Sequence, residues 1–244
     1  MGVAPSASAV SRLNRTLTEQ CEAWRKGPLL THSRIVYLDG IHVAVGHGSK
    51  TDPTIIVSTL SVDLEGKKDV LVLRVCAKEN KDGWSCLVQD LRRHGATEMD
   101  LSVTDGHEGL LAAVGSLCTT TLRQRCLVHK QRNVLNALAK RERQEVATAP
   151  AGIWQQEKKE HALLNLSACK AIYQKRYPEA SRSLSEDEEH LLTFSACPPV
   201  VHRSMRSPHA IKSFFSHVRQ QTDQIDAFTT EISGLTIVST PGCV

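Results

Sequence analysis

The chain has 244 residues, 41% hydrophobic and 23% charged, enough apolar material for one α/β core with an appended helical piece, which excludes a wholly disordered chain. A net charge of +4 permits nucleic-acid binding without demanding it, so the distribution of charge matters more than its sum. No signal peptide or long apolar run is present, and the eight cysteines are too irregularly spaced for a disulfide framework, so an intracellular, non-membrane protein with reduced thiols is expected.

Met1 to Leu30 reads as a helix, with Ser6 as its cap and an apolar stripe through Val10, Leu13, Leu17, Cys21 and Trp24. Arg12, Arg15, Arg25 and Lys26 give it a basic side. Ile35 to Val45 alternates like a strand, but Asp39 interrupts it. Asp39-Gly40 is either a turn at a strand end or a carboxylate projecting from a sheet, and the alternation continuing through Gly40 weakens the turn. Gly46 to Pro53 is a loop by composition. Thr54 to Val62 and Val70 to Cys76 follow as strands around a turn at 63–69, which together suggest an antiparallel meander. Asn80 to His94 is an amphipathic helix carrying Trp84, Leu87, Val88 and Leu91, with Gly95 as its stop. Met99 to Val103 is a short strand closed by Asp105-Gly106, His107 to Leu117 a helix, and Leu122 to Val128 a further strand.

Three antiparallel strands followed by βαβ crossovers predict a mixed sheet with helices on both faces. In that order a carboxylate on the first strand and one at the tip of the fourth lie side by side, and Asp39 and Asp105 occupy those positions. From Lys130 to about Ala196 the pattern is helical and polar, with stripes over Gln131 to Ala139 and His161 to Tyr177, a breaker at Thr148-Ala149-Pro150-Ala151-Gly152, and an acidic run at 186–189 that reads as a solvated face or linker. Ala210 to Thr222 is a helix bearing Ile211, Phe214, Phe215 and Val218. Between Pro198 and Thr222 there are no acids, while Arg203, Arg206, Arg219 and His209 stand among the basic residues; such a segment suits a polyanion or a solvated face.

Cys126 and His129 have a spacing that also occurs in zinc sites, but two ligands are not four, and packing near the sheet edge is the better reading. No acyl-transfer constellation accompanies Cys126 as a nucleophile.

Tyr37-Leu38-Asp39-Gly40, the block Thr104 to Leu110 and the block Gln124 to Val134 resemble the signatures of the mutator-type transposases of bacterial insertion sequences, the IS256-like group. The resemblance extends from about Trp24 to about Val238. It implies an α/β, ribonuclease-H-like core with an all-helical insertion before the last catalytic helix. It also implies a DDE triad, two aspartates and a glutamate, that holds two Mg²⁺ (or Mn²⁺) ions for DNA strand cleavage and transfer. Carried over, the aspartates are Asp39 and Asp105, and the glutamate position is Lys212. Two metals clamp the attacking and leaving oxygens of a phosphodiester, and hard cations need oxygen ligands.

Lys212 is the departure. A unit charge about 5 Å from a divalent ion interacts by roughly 7 kcal/mol at an effective dielectric of 20, and exchanging Glu for Lys reverses its sign. The same block carries Pro208 and His209 where the resemblance implies threonine and asparagine. An impaired, truncated or decayed transposase copy is therefore expected, or a non-catalytic remnant that binds DNA or inhibits intact transposase. The expected divisions are 1–30, a remnant of a DNA-binding region; 31–130, the first part of the core; 131–198, the insertion; and 199–244, the completing helix. The expected partners are DNA, as transposon ends and target, and further copies of the chain, in a cytoplasmic, nucleoid-associated setting.

Overall fold

A computed structural model describes residues 6–27, 35–47, 50–63, 67–76, 78, 80–96, 99–146, 148–199 and 227–239, with single positions (202, 205, 216, 218–220, 222, 224 and 225) between the last two. Helix α1 spans Ala7–Lys26, and the Ser6 hydroxyl caps it by accepting from the Ala9 N–H at 3.2 Å. The cap and stripe were legible, but the stripe's start is open to solvent: Val10 and Leu13 are exposed, while Cys21 is buried.

Strands β1 (Ile35–His47), β2 (Lys50–Val62) and β3 (Lys68–Cys76) form the antiparallel meander. Segment 46–53, expected as a loop, is instead largely strand, since β1 runs to His47 and β2 starts at Lys50. Proline and loop-forming composition misled there for a physical reason. Among the described residues the β2–β3 pairing ends at Ile55 and Cys76, and Pro53 pairs with Ala44 alone, so no described β3 residue requires an N–H from it.

Helix α2 (Lys81–Arg93), strand β4 (Leu101–Thr104), helix α3 (Glu108–Leu117) and strand β5 (Leu122–Arg125) complete a five-stranded mixed sheet in the order β3-β2-β1-β4-β5. β4 runs parallel to both β1 and β5. Gly95 stops α2 with φ +102°, where a side chain would be strained. The fifth strand is shorter than expected. The chain leaves the sheet after Arg125, and Leu127 and Val128 open helix α4 (Leu127–Asn136), capped at Cys126.

Helices α5 (Arg143–Val146), α6 (Thr148–Trp154), α7 (Lys159–Arg176) and α8 (Pro178–Ser185) follow. The expected breaker at 148–152 lies inside α6, because Pro150 sits in the first turn, where no intrahelical N–H is needed. Helix α9 (Glu231–Ser239) ends the described chain.

The two faces of the sheet are covered by different elements. Val36, Leu38, Ile55 and Val57 pack with Trp84, Leu87, Leu91, Leu110 and Val114 of α2 and α3. Ile35, Tyr37, Ile41, Val43, Leu101 and Val103 pack in the other cluster with Leu127, Val134, the helices after α4, Val218 and Leu235. Asp39 and Asp105 share the odd parity of this second set, so alternation points both toward the α4 face. Among the described residues no helix is long and apolar enough to cross a membrane, and the seven described cysteines are free.

Candidate active site

The parallel register sets the two aspartates side by side. Leu38 is opposite Thr104, so Asp39 and Asp105 are each the next residue along, where β4 ends and β1 continues alone on that side. An open cleft of ≈ 250 Å³ forms there, lined by Asp39, Gly40, His42, Asp105, His129, Arg132, Asn133 and Arg219. The sequence placed Asp39 and Asp105 side by side and singled out Arg219 as a basic residue suited to a polyanion, and the structure brings all three to one cleft. It missed Arg132, Asn133 and His42; Arg132 and Asn133 lie within the Gln124 to Val134 block, and only its helical phase after Cys126 could have pointed to them. Lys212, Arg203, Arg206 and His209 lie outside the described residues.

Each carboxylate is held by its own backbone. The Gly40 N–H donates to Asp39 Oδ1 at 2.9 Å and the His107 N–H donates to Asp105 Oδ1 at 2.9 Å. Asp39 stays in the strand, as its pairing with Ser58 shows, so the turn alternative does not hold. Asp105 precedes the first turn of α3, where the helix N-terminus favours a negative charge.

His129 faces Asp39, with Nε2 3.9 Å from Oδ2. Burial pushes its pKa down to about 4, and Arg132, Arg125 and Arg219 push the same way, while Asp105 opposes them. The ring is therefore neutral at pH 7, and 3.9 Å is too long for a hydrogen bond, so this contact is not an ion pair. Burial raises the Cys126 thiol to about 11, with the His129 and Val128 backbone N–H groups opposing and Asp39 adding to the rise. Cys126 is thus a protonated packing residue at neutral pH, unsuited to attack as a thiolate.

Beneath the cleft lies a second charged cluster that sequence reasoning did not find. Lys130 has 0% of its surface exposed and donates through Nζ to the Ser183 carbonyl at 2.6 Å. Its Nζ is 3.9 Å from both Asp187 Oδ2 and Glu186 Oε2. Burial lowers its pKa, Arg125 adds to this, and Asp187 and Glu186 oppose it. Arg125 is 8% exposed, and its Nε lies 3.4 Å from Asp187 Oδ2. With the Asn133 amide turned so that its oxygen faces Arg125, that oxygen accepts from Nη2 at 3.1 Å. The acidic run at 186–189 is therefore more than a solvated linker: Asp187 faces Arg125 and Lys130, and Glu188 accepts from Lys170. Gln124, buried beside it, donates to the Arg125 and Leu191 carbonyls at 2.7 and 3.0 Å and accepts from the Phe194 N–H at 2.9 Å.

Among the described residues no group of three or more His, Cys, Asp and Glu side chains could hold a metal ion. The aspartate pair nevertheless suits a hard cation in its donor chemistry. Both are carboxylates, each fixed through Oδ1, and a carboxylate offers about four acceptor sites.

A mixed sheet covered on both faces, with an acidic pair at the end of its parallel strands and arginines at the rim, is the class of protein this geometry defines. The chain belongs to the Transposase, Mutator family, whose profile matches residues 1–240. It is similar to the transposase for insertion sequence element ISRM5 of Rhizobium meliloti (strain 1021), 25% identical over 237 residues, 97% of this chain and 60% of that protein. It is 29% identical to the transposase for IS6120 of Mycolicibacterium smegmatis over 222 residues, 91% of this chain and 68% of that protein. With the transposase for IST2 of Acidithiobacillus ferrooxidans it shares 34% over 173 residues, 70% of this chain and 58% of that protein. The chain thus spans roughly three fifths of the length of these curated relatives.

Proposed function

We propose that this chain is the catalytic portion of a DDE-type insertion-sequence transposase with a ribonuclease-H-like core, in which residues 131–198 are the helical insertion. The observation that carries the reading is the single cleft shared by Asp39, Asp105, Arg132 and Arg219. Asp39 and Asp105 hold the divalent cations, Mg²⁺ or Mn²⁺. Bound cations would activate the attacking oxygen and stabilise the leaving oxygen of a DNA phosphodiester. Neutral His129 adds no positive charge beside the cations at pH 7. Arg132 and Arg219, both exposed, bind the DNA phosphates and orient the strand over the acids. Cys126 and His129 hold no zinc in this reading. The substrates are transposon ends and target DNA, engaged by more than one copy of the chain in the nucleoid.

Lys212 replaces the third carboxylate and leaves the natural chain impaired in this reading. Nicking of supercoiled plasmid in Mn²⁺ tests it. Lys212→Glu should nick at least tenfold faster than the natural chain, and Asp39→Asn or Asp105→Asn in that background should abolish the gain. Equal rates in all four proteins would contradict the reading. The second reading, a DNA-binding remnant that inhibits intact transposase, rests on Lys212 alone. It would be favoured by retarded migration of DNA with no nicking in either the natural or the Lys212→Glu chain.

A further inference from the structure

Asp105 sits on a turn whose next residue has unusual demands. Gly106 adopts φ +87°, and a Cβ built there would lie 1.6 Å from Arg125 Nη1 and 2.3 Å from Cζ. The Arg125 guanidinium is therefore packed, Nη1 foremost, against the backbone that carries Asp105. The strand ladder holds the same two segments together, for the Cys126 N–H donates to the Thr104 carbonyl at 2.7 Å. Arg125 reaches this position buried, and the carboxylate facing it comes from far along the chain: Asp187, between α8 and the short 3₁₀ turn at 188–190.

Asp187 is itself in a special conformation. Its φ of 57° and ψ of 23° make it the one described non-glycine residue with positive φ. Asp tolerates the left-handed region better than most residues, and such a site persists only when its surroundings over-determine it. Here the surroundings act by charge, without a hydrogen bond from Arg125 Nε: the carboxylate lies 3.4 Å from Arg125 Nε and 3.9 Å from Lys130 Nζ, and Lys130 is anchored on the Ser183 carbonyl at 2.6 Å.

We infer that Asp187 is a positioning residue for Asp105, acting from the helical segment through the Arg125 guanidinium that lies against Gly106. The inference rests on the cation-binding reading of Asp39 and Asp105. Asp187 touches neither cation nor DNA. It orients Arg125, Arg125 fixes the Asp105-Gly106 turn, and the turn sets the carboxylate direction, with the His107 N–H holding Oδ1 at 2.9 Å.

The test is Mn²⁺ binding, read by electron paramagnetic resonance of the free ion, with Lys212→Glu as the parent chain. Asp187→Asn keeps the shape, and Asp187→Gly suits the left-handed backbone while deleting the carboxylate, so at least one variant is expected to fold. Glu186→Gln is the control, since Glu186 approaches Lys130 and is largely exposed. Measured well below each melting temperature, both Asp187 variants should bind Mn²⁺ at least tenfold more weakly than the parent, and Glu186→Gln within twofold of it. Asp187 variants that melt lower yet bind Mn²⁺ within twofold of the parent would overturn the inference and leave Asp187 a purely structural residue. A parent that binds no Mn²⁺, with Asp39→Asn indistinguishable from it, would instead bring down the cation-binding reading and this inference with it.

Discussion

Two clusters of charge lie on either side of the Asp105-Gly106 turn and obey opposite rules. The cleft cluster, Asp39 and Asp105 with Arg132 and Arg219, opens to solvent, and its acids are oriented by their own backbone. The inner cluster, Arg125 and Lys130 with Asp187, draws its members from β5, α4 and the segment after α8, and its cations are enclosed. Open carboxylates can exchange water for a cation at little structural cost. Buried cations cannot, because losing a partner leaves an uncompensated charge in a poorly solvated place. In the proposed reading the first cluster accepts a cation, and the second holds a framework still.

The place where the clusters touch should give the largest effect. Gly106→Ala must both strain a left-handed residue and expel the Arg125 guanidinium, so it should destabilise by on the order of 5 kcal/mol in urea denaturation. A loss under about 1 kcal/mol would mean that the two clusters are independent. Removing the acid of the inner cluster comes next. Asp187→Ala should cost about 4 kcal/mol by leaving Arg125 and Lys130 without their shared carboxylate. In the cleft, Asp39→Asn should stay within about 1 kcal/mol in chelator, because the Gly40 N–H keeps an acceptor. Equal losses at the two sites would erase the contrast.

The pH effect of His129 falls between these extremes. Its folded pKa, about 4, lies below the ordinary histidine value of 6.5, so between these values the unfolded chain binds the extra proton. The stability this contributes is full above about pH 6.5 and is lost as pH falls toward 4, by no more than about 3 kcal/mol. In chelator, urea midpoints measured across this range should fall with pH, and His129→Gln should flatten the slope. An unchanged slope in His129→Gln would place the titrating group elsewhere.

Much of the cleft was legible because it is made of local pattern and order. Asp39 announced itself by breaking the alternation from Ile35 to Val45, and Asp105 by ending a short strand before a helix. The strand order then put them together. The inner cluster was not legible, since nothing in Gln124-Arg125-Cys126 tells that Arg125 will be buried or that its acid waits at Asp187. Long-range pairing of a buried charge leaves no period in the sequence. It even disguised itself, because an acidic run such as 186–189 usually is solvated. The misread bounds have similar causes. Pro53 is tolerated where β3 has already ended, Pro150 where a helix has only begun, and Leu127-Val128 look like a strand although the chain has already turned into α4.

The central proposal is that Asp39 and Asp105 form a cation site which Lys212 disables, and melting curves with and without Mn²⁺ test it most directly. At a Mn²⁺ concentration ten times the dissociation constant, binding to the native state alone stabilises by about 1.4 kcal/mol, or roughly 3 °C or more for a chain of this size. Lys212→Glu should rise by that amount and lose the rise when Asp39→Asn or Asp105→Asn is added, while the natural chain stays flat. A natural chain that rises as much as Lys212→Glu, or a rise that survives loss of both aspartates, would contradict the account.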